Sequence, residues 1–427
     1  MQIIKSRSAY FTFLVILFAV IVGLLLWAKK KDSVSISPYP DGRNFAFTVT
    51  DDPDWAKLER IKPLYDFLTE VGMRTTVAVW VKEASRPDGI PDRPGKFYYG
   101  STCENRDYLA YIQELQKRGF EIALHGISGG NDHRDDTADG YEKFKQLFGE
   151  YPKMNIMHSN NLENVYWGRK VIENELLRKM IGIFYGLAAL PYSGEEPKSP
   201  YFWGDILKEK TKYVRLWGTS DINTLKYNPS MPYHDPNKPY VNYWFSCSDG
   251  YRLPWFKKLI SDKNIEKLVA ERGASIVYAH FASFGKKDAS GLYRIDEDFK
   301  RQILKISQQK DGWFVPASVL LDRLLLMKNV ALYASDDSIT IVNANTASVD
   351  GVTIICKPGD IYYDGLGRRL QANEEGEIVA GDFCPGQAVT LFRQAGDNYL
   401  QRKYPGFIEN MNLFLQRAVI LIFYHRG

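Results

Sequence analysis

Between residues 43 and 328 the apolar positions switch repeatedly between a period of two and a period near 3.6. Phe45, Phe47 and Val49 alternate with smaller or polar side chains, as in a half-buried strand. Pro53 ends the run, because it lacks a ladder donor. Leu58, Ile61, Leu64, Tyr65 and Leu68 then recur at helical spacing over 57–70, with Gly72 as the stop. The β-branched run Thr75–Val81 reads as a second strand, 107–118 as a helix, and Phe120–Leu124 as a short buried strand that delivers His125. A helix over 137–148 leads through Pro152 to a strand ending near His158. Residues 171–184 look helical, and 214–217 and 241–245 look like strands among loops rich in Tyr, Trp and Pro. A helix over 262–272 precedes the strand Ala274–Ala279, which delivers His280, and helices follow over 296–309 and 316–327. About seven strand–helix repeats predict an α/β fold with a parallel sheet or barrel.

The flanks follow other patterns. Residues 9–28 carry no charge, and twenty helical residues span ~30 Å, the hydrocarbon thickness of a bilayer. Tyr10 and Trp27 stand near the ends, where interfacial aromatics are expected. The basic run Lys29–Lys31 makes a poor cleavage site, so an uncleaved single-pass anchor is preferred over a signal peptide. The charges on the two sides leave orientation open and slightly favour a cytoplasmic C-terminal region. From 329 to 395, short strand-like runs split by Gly, Asp and Asn predict a small antiparallel β domain. The resulting division is an anchor with flanks over 1–31, a linker over 32–42, the repeating domain over 43–328, the β domain over 329–395 and a tail over 396–427. The apolar stretch 412–424 is too short to span a bilayer.

Composition narrows the partners. A net charge of +4 with no long basic run argues against nucleic acid. The 14% aromatic content suits sugar-binding clefts as well as cores. Cys103, Cys247, Cys356 and Cys384 lack metal-type spacing; Cys356 and Cys384 can pair outside the cytosol or remain thiols.

Candidate chemistry gathers at strand ends. Asp51 and Asp52 are adjacent carboxylates at the carboxyl end of an early strand, the end where ligands bind in such sheets. Two carboxylates this close need a cation or a proton between them, which points to a metal ligand beside a general base. His125, His158 and His280, three of only six histidines, also fall at predicted strand ends. Two imidazoles with a carboxylate form a familiar zinc site that leaves one position open for water.

Thr48 to Asp54 (TVTDDPD), Glu121 to Gly126 (EIALHG) and Ser275 to Phe281 (SIVYAHF) resemble, in order, three motifs of the polysaccharide deacetylases, the family 4 carbohydrate esterases. The resemblance covers roughly residues 43–328. It implies a distorted (β/α)7-type barrel and removal of acetyl groups from polysaccharides with a divalent metal, commonly zinc. By motif, Asp51 matches the catalytic base, Asp52 the metal-binding aspartate, His125 a metal-binding histidine and His280 the general acid. Three positions depart from the family pattern. Gly129 stands where a second metal histidine is usual, Pro53 replaces a glycine, and no arginine occurs over 153–160. We expect His158 to complete the metal set, with His133 as the rival ligand.

Asn160, Trp167, Trp217 and Asp221 are expected to meet substrate; Asp249, Trp203 and Trp244 are weaker candidates. The expected protein is a membrane-anchored, metal-dependent hydrolase that deacetylates a polysaccharide or glycan outside the cytosol. Two alternatives remain open at this stage. One is an inactive glycan-binding or assembly protein; the other is a metal-independent glycoside hydrolase pairing Asp51 or Asp52 with Asp221.

Overall fold

The computed structural model describes residues 34–85, 99–158, 161–171 and 192–394. The chain divides into two compact units, residues 43–325 and the segments that flank them on either side.

In the larger unit seven strands pair in parallel in chain order: β1 (Phe45–Asp51), β2 (Thr76–Val79), β3 (Glu121–Leu124), β4 (Met154–Asn155), β5 (Tyr213–Thr219), β6 (Tyr243–Asp249) and β7 (Ala274–Ala279). β7 pairs with β1 and closes the barrel. The alternation in β1 suggested one wet face, yet all seven of its residues are buried. A strand inside a closed α/β barrel is covered on both faces, by the barrel interior and by the surrounding helices.

The surrounding helices are α1 (Leu58–Glu70), α2 (Arg106–Lys117), α3 (Arg134–Phe148), α4 (Gly204–Lys210), α5 (Thr224–Tyr227), α6 (Leu253–Leu259), α7 (Asp262–Ala270), α8 (Glu297–Ser307) and α9 (Ala317–Met327). Their ends follow local chemistry. Asn105 and Asp296 accept from the amides of Tyr108 and Phe299 at the starts of α2 and α8, and Gly149 takes a left-handed φ of 89° after α3. α1 buries Ile61, Leu64, Tyr65 and Leu68, the residues whose spacing predicts it. α4 and α6, at seven residues each, are too short to display a helical period in the sequence. The helix expected over 171–184 lies outside the described residues beyond Val171.

The smaller unit consists of antiparallel sheets. Its strands are β8 (Val330–Ala334), β9 (Ser338–Asn343), β10 (Val349–Ile355), β11 (Ile361–Tyr363), β12 (Arg369–Gln371), β13 (Glu377–Phe383) and β14 (Ala388–Arg393). Ile339, Ile341, Val352, Ile354, Tyr362, Ile378 and Leu391 form its core. The stretch 32–42, expected as a linker, contributes a strand of its own: Ser35 and Ile36 pair with Ile355 and Ile354 on the edge of β10. All four cysteines are free thiols. Among the described residues no helix is long and apolar enough to cross a membrane; the expected anchor 9–28 and the tail segment 412–424 lie outside them.

Candidate metal centre

The strand period places Asp51 and Asp52 on opposite faces of β1. Asp51 turns outward to the helical layer. Its Oδ2 accepts from the Tyr65 hydroxyl on α1 at 2.5 Å, and its Oδ1 accepts from the Phe281 amide at 2.6 Å. Burial pushes its pKa up to about 7 in spite of both hydrogen bonds. Asp52 shares its face with Thr50. Arg215, at the centre of β5, grips Asp52 with two guanidinium nitrogens, each 2.7 Å from a carboxylate oxygen. The same guanidinium donates to the Thr50 hydroxyl at 3.2 Å and lies 4.2 Å from the centre of the Tyr278 ring. Burial disfavours the Arg215 charge, but Asp52 more than compensates and the pKa is raised.

Asp54, three residues beyond the strand, returns to the barrel mouth. A tight turn follows, in which Trp55 adopts a left-handed φ of 58° and the Ala56 amide bonds to the Pro53 carbonyl at 2.9 Å. Three imidazoles converge on the Asp54 carboxylate. His125 Nε2 lies 3.6 Å from Oδ2, His158 Nε2 lies 3.6 Å from Oδ1, and His280 Nε2 lies 3.2 Å from Oδ2. Burial alone would raise the Asp54 pKa; the three imidazoles reverse this and hold it well below the usual carboxylate range.

His125 lies just past the end of β3, its backbone carbonyl held by the Trp80 indole N–H at 2.8 Å. Its ring is 1% exposed, and neither ring nitrogen has a hydrogen-bond partner; Asp54 Oδ2 has none either. A separation of 3.6 Å is too long for a hydrogen bond. His125 Nε2 faces Asp54 Oδ2 and its Nδ1 faces Asp52 Oδ2, each across 3.6 Å, and buried polar atoms left at such distances are costly unless something sits between them. Ligands ~2.0–2.1 Å from a tetrahedral zinc ion stand roughly 3.3 Å from one another, close to the spacing found here. Asp54, His125 and His158 each offer one ligand atom, all within 4.8 Å of one another, and Asp52, Asp54 and His280 form a second such group. Burial lowers the His125 pKa and favours the neutral imidazole that metals bind. The residues therefore fit a divalent cation.

His158 is oriented from behind. Its Nδ1 lies 3.0 Å from Asn161 Oδ1, and the Asn161 amide donates to Glu163 Oε1 and to the Gly130 carbonyl, both at 2.7 Å. An amide whose nitrogen is thus committed presents its oxygen to His158, so Nδ1 carries the proton and Nε2 offers its lone pair to the cluster. His280 donates from Nδ1 to the Tyr251 carbonyl at 3.0 Å. Burial opposes its charge, but Asp54 and Asp52 outweigh burial and its pKa is raised.

The residues expected from sequence are thus distributed unevenly. Asp52, His125, His158 and His280 come together, whereas Asp51 faces Tyr65 and Phe281 instead. The second imidazole at Asp54 comes from His158 rather than from the position of Gly129. His133 stands at the start of α3 with its ring 4.9 Å from Tyr201, outside both clusters. Asp221 is held by Lys267 at 2.6 Å and accepts from the Asn223 amide. Trp203 and Trp244 are core residues, 3% and 1% exposed. Trp167 packs against the barrel core. Asp249, at the end of β6, accepts from the Tyr251 amide and feels the charges of Arg215 and His280. Asn160 and the Trp217 side chain lie outside what the structure describes.

Two residues of the cluster escaped the sequence reading. Asp54 was present in the quoted motif, but its role depends on a turn that folds back on itself. Arg215 left a signal as a lone charge within an apolar strand, which is expensive unless paired.

No family model matches the chain, and no curated protein resembles it in sequence. Among solved structures it is similar to the allantoinase PuuE, at 10% identity with a TM-score of 0.39, over 68% of this chain and 93% of the other. It is also similar to the polysaccharide deacetylase Bc1974 from Bacillus cereus, at 10% identity with a TM-score of 0.30, over 64% of this chain and 92% of the other.

Proposed function

We propose that the protein is a divalent-metal-dependent hydrolase that removes acetyl groups from a polysaccharide or glycan at a membrane surface. The observation that carries this reading is the buried trio Asp54, His125 and His158, in which both ring nitrogens of His125 and Oδ2 of Asp54 are buried without a hydrogen bond. Those three residues would hold the cation, and zinc suits the donor set. A bound cation there would polarise the acetyl carbonyl and acidify a water molecule. Asp52, fixed by Arg215, is placed to take the proton of the attacking water. His280, protonated beside Asp54, is placed to give a proton to the departing sugar nitrogen or oxygen. The products are acetate and a free sugar amine or hydroxyl.

This assignment moves the base from Asp51 to Asp52 and the carboxylate ligand from Asp52 to Asp54. The paired-carboxylate glycosidase draws no support, because Asp51 is bonded to Tyr65 and Phe281 and Asp221 to Lys267. Metal analysis with acetate release from acetylated oligosaccharides tests the proposal. Chelation should abolish release, zinc should restore it, and Asp54→Asn should lose both metal and activity. Full metal occupancy in Asp54→Asn, or acetate release that survives chelation, would overturn the reading.

A further inference from the structure

Around His280 the structure places large aromatic rings that the chemistry above does not use. The Trp55 indole meets the His280 ring edge to face, with centroids 5.4 Å apart. Tyr251 also stands 6.2 Å from His280 and carries Trp255 against it at 4.8 Å. Both indoles face solvent, Trp55 44% exposed and Trp255 50%. Exposed tryptophans flanking a buried polar cluster forfeit burial free energy that a core position would supply. Trp55 also carries a left-handed backbone, uncommon for a bulky residue. That conformation is held in place: the Trp55 amide bonds to the Tyr99 carbonyl, and the Ser101 amide bonds to the Ala56 carbonyl at 2.5 Å. The ring is therefore presented outward on a fixed support.

We infer that Trp55, Tyr251 and Trp255 form a stacking ledge that binds consecutive pyranose rings of a glycan chain beside His280. This rests on the hydrolase reading above and assigns its substrate side. If His280 protonates the departing group, then the part of the substrate lying against His280 is the sugar, not the acetyl methyl. A pyranose offers a flat C–H face to an indole while its hydroxyls stay in water. Two exposed indoles, one against His280 and one carried on Tyr251, offer separate stacking faces, so the ligand is an oligomer.

Binding can be read separately from chemistry, by tryptophan fluorescence and calorimetry on chelator-treated full-length protein. The probes are tetra-N-acetylchitotetraose, acetylated xylo-oligosaccharides and acetylated manno-oligosaccharides. At least one should bind, and Trp55→Ala and Trp255→Ala should each weaken it about tenfold. Trp255→Phe should recover most of the loss because it keeps an aromatic face, and circular dichroism checks that each variant folds. Absence of binding by every probe, or equal affinity in the alanine variants, would overturn the ledge. Acetate release without oligomer binding would reject the ledge and leave the hydrolase standing; ledge-dependent binding without acetate release would do the reverse.

Discussion

Asn161 carries no charge, yet the proposed ligand role of His158 depends on it. By accepting from Nδ1 and donating to Glu163, it fixes which ring nitrogen faces Asp54. Removing such an outer partner typically costs ten- to a hundredfold in metal affinity. Asn161→Ala should therefore weaken zinc binding by about that factor while the far-ultraviolet spectrum stays unchanged, as competition with a chromophoric chelator would show. Arg215 presents a different balance. Arg215→Met strands the Asp52 carboxylate among buried groups, which should cost about 3–5 kcal/mol in urea unfolding. Adding Asp52→Asn should restore much of that loss, because the uncompensated charge is then gone. A single-variant loss below ~1 kcal/mol would mean that water reaches this pair.

The elements were largely legible in the chain because their patterns are local. The sequence reading and the structure agree on Ala274–Ala279 to the residue, and on α1 and α9 to within one. What stayed hidden was set by tertiary contact. β1 looked half-buried because Thr48 and Thr50 are polar, yet the Thr50 hydroxyl is used inside the barrel by Arg215. β3 offers a test at this scale. Its first residue, Glu121, accepts from the Thr76 hydroxyl on β2 at 2.6 Å and from the Ser318 amide of α9 at 3.1 Å. Burial raises its pKa despite these bonds. The folded chain then keeps a proton that the unfolded chain releases near the ordinary value of about 4.3. The stabilisation is complete below that value and fades as pH rises through the raised one. As pH rises above about 4.3, wild type should lose more unfolding free energy than Glu121→Gln; parallel curves from denaturant titrations would refute the assignment.

For the whole molecule, two units and the apolar stretch 9–28 must be reconciled with the proposed acetylated substrate. If residues 9–28 anchor the chain with its barrel outside the cytosol, membranes should retain the full-length protein through a high-salt wash and release it in detergent. A chain beginning at residue 32 should be soluble and retain acetate release. Protease added to intact cells should cleave the barrel only in that orientation. The start at 32 matters, because the short strand Ser35–Ile36 must be kept for β10.

That strand also dictates an order of events during synthesis. Ser35 leaves the ribosome early, but its partner Ile355 follows roughly 320 residues later. At about 5–20 residues per second this means a wait of roughly 16–64 seconds. The barrel can close meanwhile, since every strand of it lies in the interval. The small unit cannot close until its last strand, β14, has been made. A message cut short before β10 would thus leave its first strand with no edge to join, a lesion that marks the incomplete product for quality control although its barrel is whole.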